Sequence, residues 1–141
     1  MTSTISYQNG LIYAMVIAAV ADGELKDSEL ITINEMVKTL PIFHGFDYAK
    51  LSRVTGDCAA MLDQEDGIDA ALGLIKEALP NKLHETAYTL ACDVIAADGN
   101  VAQEELRWLE LLARELHISQ LHETAIQYAA RARYIRYHDA Q

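Results

Sequence analysis

Basic residues are in short supply in this chain. Lysine and arginine number 11 against 21 aspartates and glutamates, a formal net charge of −10 over 141 residues. Such a surface repels phosphate backbones, which argues against nucleic acid as a partner and favours cations or a basic protein surface. Cysteine is equally sparse. Cys58 and Cys92, the only two, lie in apolar helical patterns far from any CxxC spacing, and read as small buried hydrophobes of a reducing compartment. Long hydrophobic runs are missing too. "LIYAMVIAAVA", Leu11 to Ala21, is about half of what a bilayer span needs, so no direct membrane insertion is expected. The opening "MTSTISYQNG" has no basic n-region and no cleavage site. A cytoplasmic location is the expectation.

Catalytic signatures are also lacking. There are no glycine-rich phosphate loops, serine nucleophile elbows or paired His/Cys nucleophiles, so the expectation is a non-enzyme. "LHETA" occurs at 83–87 and again at 121–125. Neither His84-Glu85 nor His122-Glu123 continues into the second histidine of HExxH, and both read as helix starts. His44 and His117 fall at helix ends, as solvent-facing or capping residues.

What the chain does have is helical periodicity. Hydrophobic residues make up 51% of it, they recur at helical spacing almost throughout, and no stretch alternates strictly enough for a strand. One domain over residues 1–141 is expected: an all-α, single-domain bundle of about seven helices. The first helix carries Leu11, Ile12, Met15, Val16 and Ala19 and stops near Asp22-Gly23. The second runs from about Asp27 to Thr39, ended by Pro41. A third opens at Asp47, a fourth carries Ile68 to Leu79 before Pro80, and a fifth starts near Asn81. A sixth buries Leu106, Leu109, Ala113 and Leu116. Ser119 caps a seventh, with Leu121, Ala125, Tyr128, Ala129 and Ala132 expected inward.

One phrase is written twice: "ADGELKDSE" at 21–29 and "ADGNVAQEE" at 97–105. Ala21, Asp22, Gly23, Glu29 and Leu30 fall on Ala97, Asp98, Gly99, Glu105 and Leu106. The spans of about 11–40 and 87–116 are therefore a duplicated helix-turn-helix hairpin, too few copies for a solenoid. Two explanations compete. In the architectural one, glycine supplies the left-handed turn, Leu25 or Val101 tucks the turn onto the core, and Glu29 and Glu105 serve as first-turn capping carboxylates. In the other, the phrase resembles the latter half of a calcium loop, Asp-Gly-x-apolar-x-x-x-Glu, but Ala18, Val20, Val94 and Ala96 stand where the earlier ligands would be. Neither loop alone can surround calcium, which takes roughly 6–8 oxygens. If the duplication brings the two loops together, Asp22, Glu29, Asp98 and Glu105 pool four carboxylates into a divalent-cation site for Ca²⁺, Mg²⁺ or Mn²⁺. Glu85, Thr89 and Asp93 form a stripe behind it. A third possibility is an acidic surface that docks a basic partner.

Trp108 reads as core, or as the wall of an apolar ligand pocket. The tail, "AARARYIRYHDAQ", is the one basic, aromatic patch. It complements the dipole of its own helix, or docks on an acidic face of this bundle or of a second copy in a homodimer.

The stretch "HETAYTLACDVIAADGNVAQEELRWLELLARELHI", taken with "AMVIAAVADGELKDSEL" and "GIDAALGLIKEALP", resembles the TerB tellurite-resistance family. The resemblance implies an all-helical fold, an acidic cluster suspected of holding metal, and a place in stress-response systems with membrane-associated and calcium-binding protein partners. In related proteins such domains accompany J-domain co-chaperones. The family's acidic positions fall on Asp22, Glu29, Asp98 and Glu105, and a second acidic region on Glu85 and Asp93. Two departures stand out. The serine that usually lies three residues before each glutamate is Lys26 in one copy and Ala102 in the other, so Lys26 is placed to pair with a carboxylate where a cation would sit. Asn100 in the second copy replaces the Glu24 of the first.

Overall fold

The computed structural model describes residues 4–137. Among them are seven α-helices and no strand: α1 (Tyr7–Val20), α2 (Asp27–Thr39), α3 (Leu51–Leu62), α4 (Gly67–Ala78), α5 (His84–Ala96), α6 (Gln103–Glu115) and α7 (Gln120–Arg133). Short 3-10 turns at Pro41–Phe43, Tyr48–Lys50 and Asn81–Leu83 join them. The helix starts follow capping chemistry. Ser6 Oγ accepts from the Asn9 amide and Ser119 Oγ from that of His122. Asp47 caps the 3-10 turn Tyr48–Lys50, not α3 itself, which begins at Leu51. The expected start near Asn81 is likewise a 3-10 turn ahead of α5.

α1 is apolar all round, and Gly10 to Ala19 are buried without a break. A helix with no polar face has to sit at the centre. Around α1 lie α5, α3, α4, α2 and α6, with α5 in the closest association. The two hairpins touch reciprocally, α6 against α1 and α2 against α5, which is the pattern of a local two-fold axis. Trp108 anchors α6 by donating its indole N–H to the Ala14 carbonyl at 3.1 Å, in the core. His84 ties three helices at one end: its Nδ1 lies 3.0 Å from the Leu116 carbonyl and its Nε2 3.2 Å from that of Leu79. The histidine of "LHETA" is thus a structural tie at a helix start.

Several expectations about the core need correcting. Leu121 and Tyr128 of α7, Ile68 of α4 and Leu106 of α6 are exposed. α7 packs mainly on α5 and buries little beyond Ala130, so its apolar residues outnumber the positions the bundle covers. Leu25 and Val101 do not tuck their turns onto the core; they are 41% and 52% exposed.

α3 and α4 meet most tightly at Gly67, where a β-carbon would lie 2.2 Å from the Met61 carbonyl oxygen and 2.8 Å from the Leu62 Cα. Gly73, further along α4, has no such neighbour within 4 Å. Gly67→Ala should therefore lower the stability to urea by about 1–3 kcal/mol through backbone displacement. Gly73→Ala should raise it by about 0.5–1 kcal/mol through helix propensity. Equal midpoints for the two variants would contradict this reading of the α3–α4 corner.

Candidate functional site

Each repeated phrase begins as a helix ends. Gly23 and Gly99 have φ of +83° and +81°, the left-handed backbone that lets the chain reverse without strain. Their amides bond back to the Val20 and Ala96 carbonyls at 2.9 and 3.1 Å. The next helix then begins with the glutamate three residues past its N-cap. Glu29 Oε1 accepts from the Lys26 amide at 3.2 Å and Glu105 Oε1 from the Ala102 amide at 2.8 Å. This is half a capping box, since neither Lys26 nor Ala102 carries the hydroxyl that would complete it.

The two copies meet. Lys26 Nζ lies 3.2 Å from Asp22 Oδ2 and 3.1 Å from Asp98 Oδ2, so a single ammonium spans the equivalent aspartates. Lys26 donates a hydrogen bond to Asp22 Oδ2 and pairs with Asp98 by charge. Ser28 Oγ, on the first turn of α2, reaches across to Asp98 Oδ1 at 3.4 Å. Beneath them Glu29 and Glu105, both 0% exposed, face each other side chain to side chain. A contact between equivalent residues is what a two-fold arrangement produces at its axis, in agreement with the reciprocal hairpin contacts.

The electrostatics follow from that position. Burial pushes the Glu29 carboxyl up to about 7, and the Glu105 carboxylate opposite adds to the rise against the pull of the Lys26 amide and charge. Glu29 Oε2 and Glu105 Oε2 are buried and have no hydrogen-bond partner among the described residues; a proton on Glu29 would turn its carboxyl into a donor toward Glu105. Burial alone would raise Asp22, but the Glu24 amide and the Lys26 ammonium hold its carboxyl below the usual range. The two aspartates in turn hold Lys26 firmly protonated.

Glu85 and Asp93 are not part of this junction. The stripe expected along α5 exists, but it faces α7, where Glu85 meets His122 Nδ1 and buried Asp93 meets Arg133. Glu85 starts α5 and Asp98 follows its end, about 20 Å apart at helical rise. Burial raises the Asp93 carboxyl, and the Arg133 guanidinium opposes the rise. The tail thus docks on its own bundle through Arg133; residues 138–141 lie outside the described residues. Cys58 and Cys92 are buried thiols pushed up to about 12, which leaves them unreactive.

The family model for tellurite resistance protein TerB matches residues 8–128, from the start of α1 into α7. The chain belongs to the TerB family. Comparison with curated proteins and with solved structures produced no match. In this TerB-family chain, the acidic positions of the two hairpins, Asp22, Glu29, Asp98 and Glu105, converge on one place. Among the described residues, however, no three His, Cys, Asp or Glu side chains stand ready as a metal-ligand group. Backbone amides and Lys26 already engage the carboxylates. Lys26 was visible in sequence as a departure at a repeated position. Ser28 was not, because nothing at its counterpart, Glu104, marks it. Among the described residues no helix is long and apolar enough to cross a membrane.

The Glu29–Glu105 contact sets a pH dependence. An unfolded glutamate releases its proton near 4.5, whereas folded Glu29 holds it to about 7. The folded state binds more protons in that window, so the stability the pair contributes is complete below the lower value and lost as pH climbs through the upper one. The melting temperature should fall by several degrees between about pH 5 and pH 8. Glu29→Gln should flatten this decline, and a variant as steep as the parent would rule out a proton on Glu29.

Proposed function

We propose that this TerB-family chain is a non-catalytic stress-response domain of the tellurite-resistance kind, whose acidic junction exchanges its internal counter-ions for a divalent cation. The observation that carries the reading is the pair of buried glutamate oxygens, Glu29 Oε2 and Glu105 Oε2, left without a donor. A buried carboxylate demands neutralisation, by a proton or by a cation. The donors are hard oxygens of the kind that suits Ca²⁺, Mg²⁺ or Mn²⁺. A bound divalent ion would supply the positive charge that four gathered carboxylates otherwise draw from Lys26 and one proton.

The tasks divide by residue. Glu29 and Glu105 release their proton and present Oε2. Asp22 and Asp98 release the Lys26 ammonium, whose flexible, partly exposed stem has room to swing outward. Lys26 is thus a competitor held inside the site. Leu25 and Val101, exposed on the two turns beside the junction, are the groups through which a protein partner, such as one from a membrane-associated stress system, would read the exchange.

A second reading rests on different acids. Asp57, Asp63, Glu65, Asp66 and Asp69 are all exposed around the α3–α4 corner, a surface suited to a basic protein and independent of the junction.

Thermal melts during Ca²⁺ and Mn²⁺ titration test the proposal. The midpoint should rise with cation, and more at pH 8 than at pH 6, since the proton has to leave. Lys26→Met should lower the half-saturating concentration about tenfold, the equivalent of roughly 1.4 kcal/mol. The double variant Glu29→Gln/Glu105→Gln should not respond. If neither the parent nor Lys26→Met shifts at millimolar cation, the junction is architectural.

A further inference from the structure

A second feature lies beside the second turn and does not depend on the acidic junction. α5, α6 and the end of α7 enclose a cavity of about 440 Å³, within the roughly 300–1,000 Å³ usual for small-molecule sites. Its wall is apolar, with Ile95 and Ala96 from α5, Val101 from the turn, Leu106 and Leu109 from α6, and Ile135 beyond α7. Leu106 is 46% exposed and Ile135 59%, so the cavity opens to water along its apolar lip. Trp108, the residue expected to mark such a pocket, is turned instead into the core against Ala14; its neighbour Leu109 takes that place.

The polar groups at the cavity lie together. Gln127 and Arg131, one turn apart on α7, both line it. Gln127 is held by donating to Tyr88 Oη at 2.6 Å. The Arg131 guanidinium sits 5.4 Å from the Tyr128 ring centre. Arg136 approaches to 3.9 Å from where a β-carbon on Gly99 would lie, and Gly99 also lines the cavity. Neither Arg131 nor Arg136 has a carboxylate partner among the described residues. In a chain with only 11 basic residues, two guanidiniums at the edge of one apolar cavity, with no acidic side chain among its described lining residues, are a local reversal of the protein's charge. That combination selects a ligand with a long apolar body and a negative head.

We propose that this cavity binds a single-chain amphiphile with a carboxylate head, a fatty-acid-like molecule, with its tail against Ile95, Leu106 and Ile135 and its head on Arg131. Val101 and Gly99 belong to the turn that also carries Asp98, so the ligand would lie against the back of the acidic junction.

The test is titration of the ¹⁵N-labelled protein with dodecanoate below its micellar concentration, with dodecyltrimethylammonium as the probe of opposite charge. Dodecanoate should saturate at one equivalent and shift the Gly99, Val101 and Ile135 amide resonances. Leu106→Glu, at a half-exposed position, should weaken binding tenfold or more. Arg131→Ala should weaken dodecanoate several-fold without weakening the cationic probe. The proposal is overturned by non-saturable binding, by shifts that avoid this cavity, by a Leu106→Glu protein that binds as well as the parent, or by preference for the cationic amphiphile.

Discussion

Two like charges placed on a symmetry axis cannot avoid each other. That constraint governs this molecule. Duplication of a helical hairpin put a glutamate at the same position in both copies, and packing the copies about a local two-fold brought Glu29 and Glu105 together with no exposure to water. In isolation each is a serviceable helix cap, bonded to the amide three residues before it. Together they are a buried electrostatic conflict, which a proton relieves from within and Lys26 relieves from the rim. The central α1, the reciprocal hairpin contacts and the Trp108 anchor all serve to hold the two turns at this distance.

Much of the architecture was legible because helix boundaries here are written in local chemistry. Ser119, the Asp-Gly turns and the two prolines act within a turn of themselves, and α2 begins and ends where the pattern places it. The clustering of Asp22, Glu29, Asp98 and Glu105 was legible only as a condition: the repeat puts equivalent acids on equivalent turns, but whether the turns meet is decided by how the hairpins pack. The misassigned residues share a cause. Periodicity says that a helix has an apolar face, but not whether a neighbour covers it, and Leu106, Leu121 and Tyr128 lie where no neighbour does. Glu85 and Asp93 were placed correctly on one stripe, but the direction of that stripe depends on α7, whose Arg133 and His122 claim them. Nothing local in α5 encodes that choice.

The exposed apolar residues and the acidic junction belong to the same structural logic. Leu25 and Val101 are left exposed on the two turns that carry Asp22 and Asp98. In the second copy the end of α7 arrives beside that residue and makes a wall, and a cavity results. In the first copy the neighbours are α3 and α4, and the corresponding groove is lined by Ile17, Val20 and Leu62 with Asp63 at its edge. The two grooves share an origin and differ in the sign of the charge beside them.

Lys26 also determines how the halves of the chain have come to depend on each other. Its counterpart is Ala102, so one ammonium serves two aspartates. A protein assembled from two first hairpins would crowd a pair of ammonium groups onto the axis, and one assembled from two second hairpins would have none there. Divergence between the copies has made the duplicates unequal: the first hairpin supplies, through Lys26 and Ser28, the groups that engage the aspartate of the second.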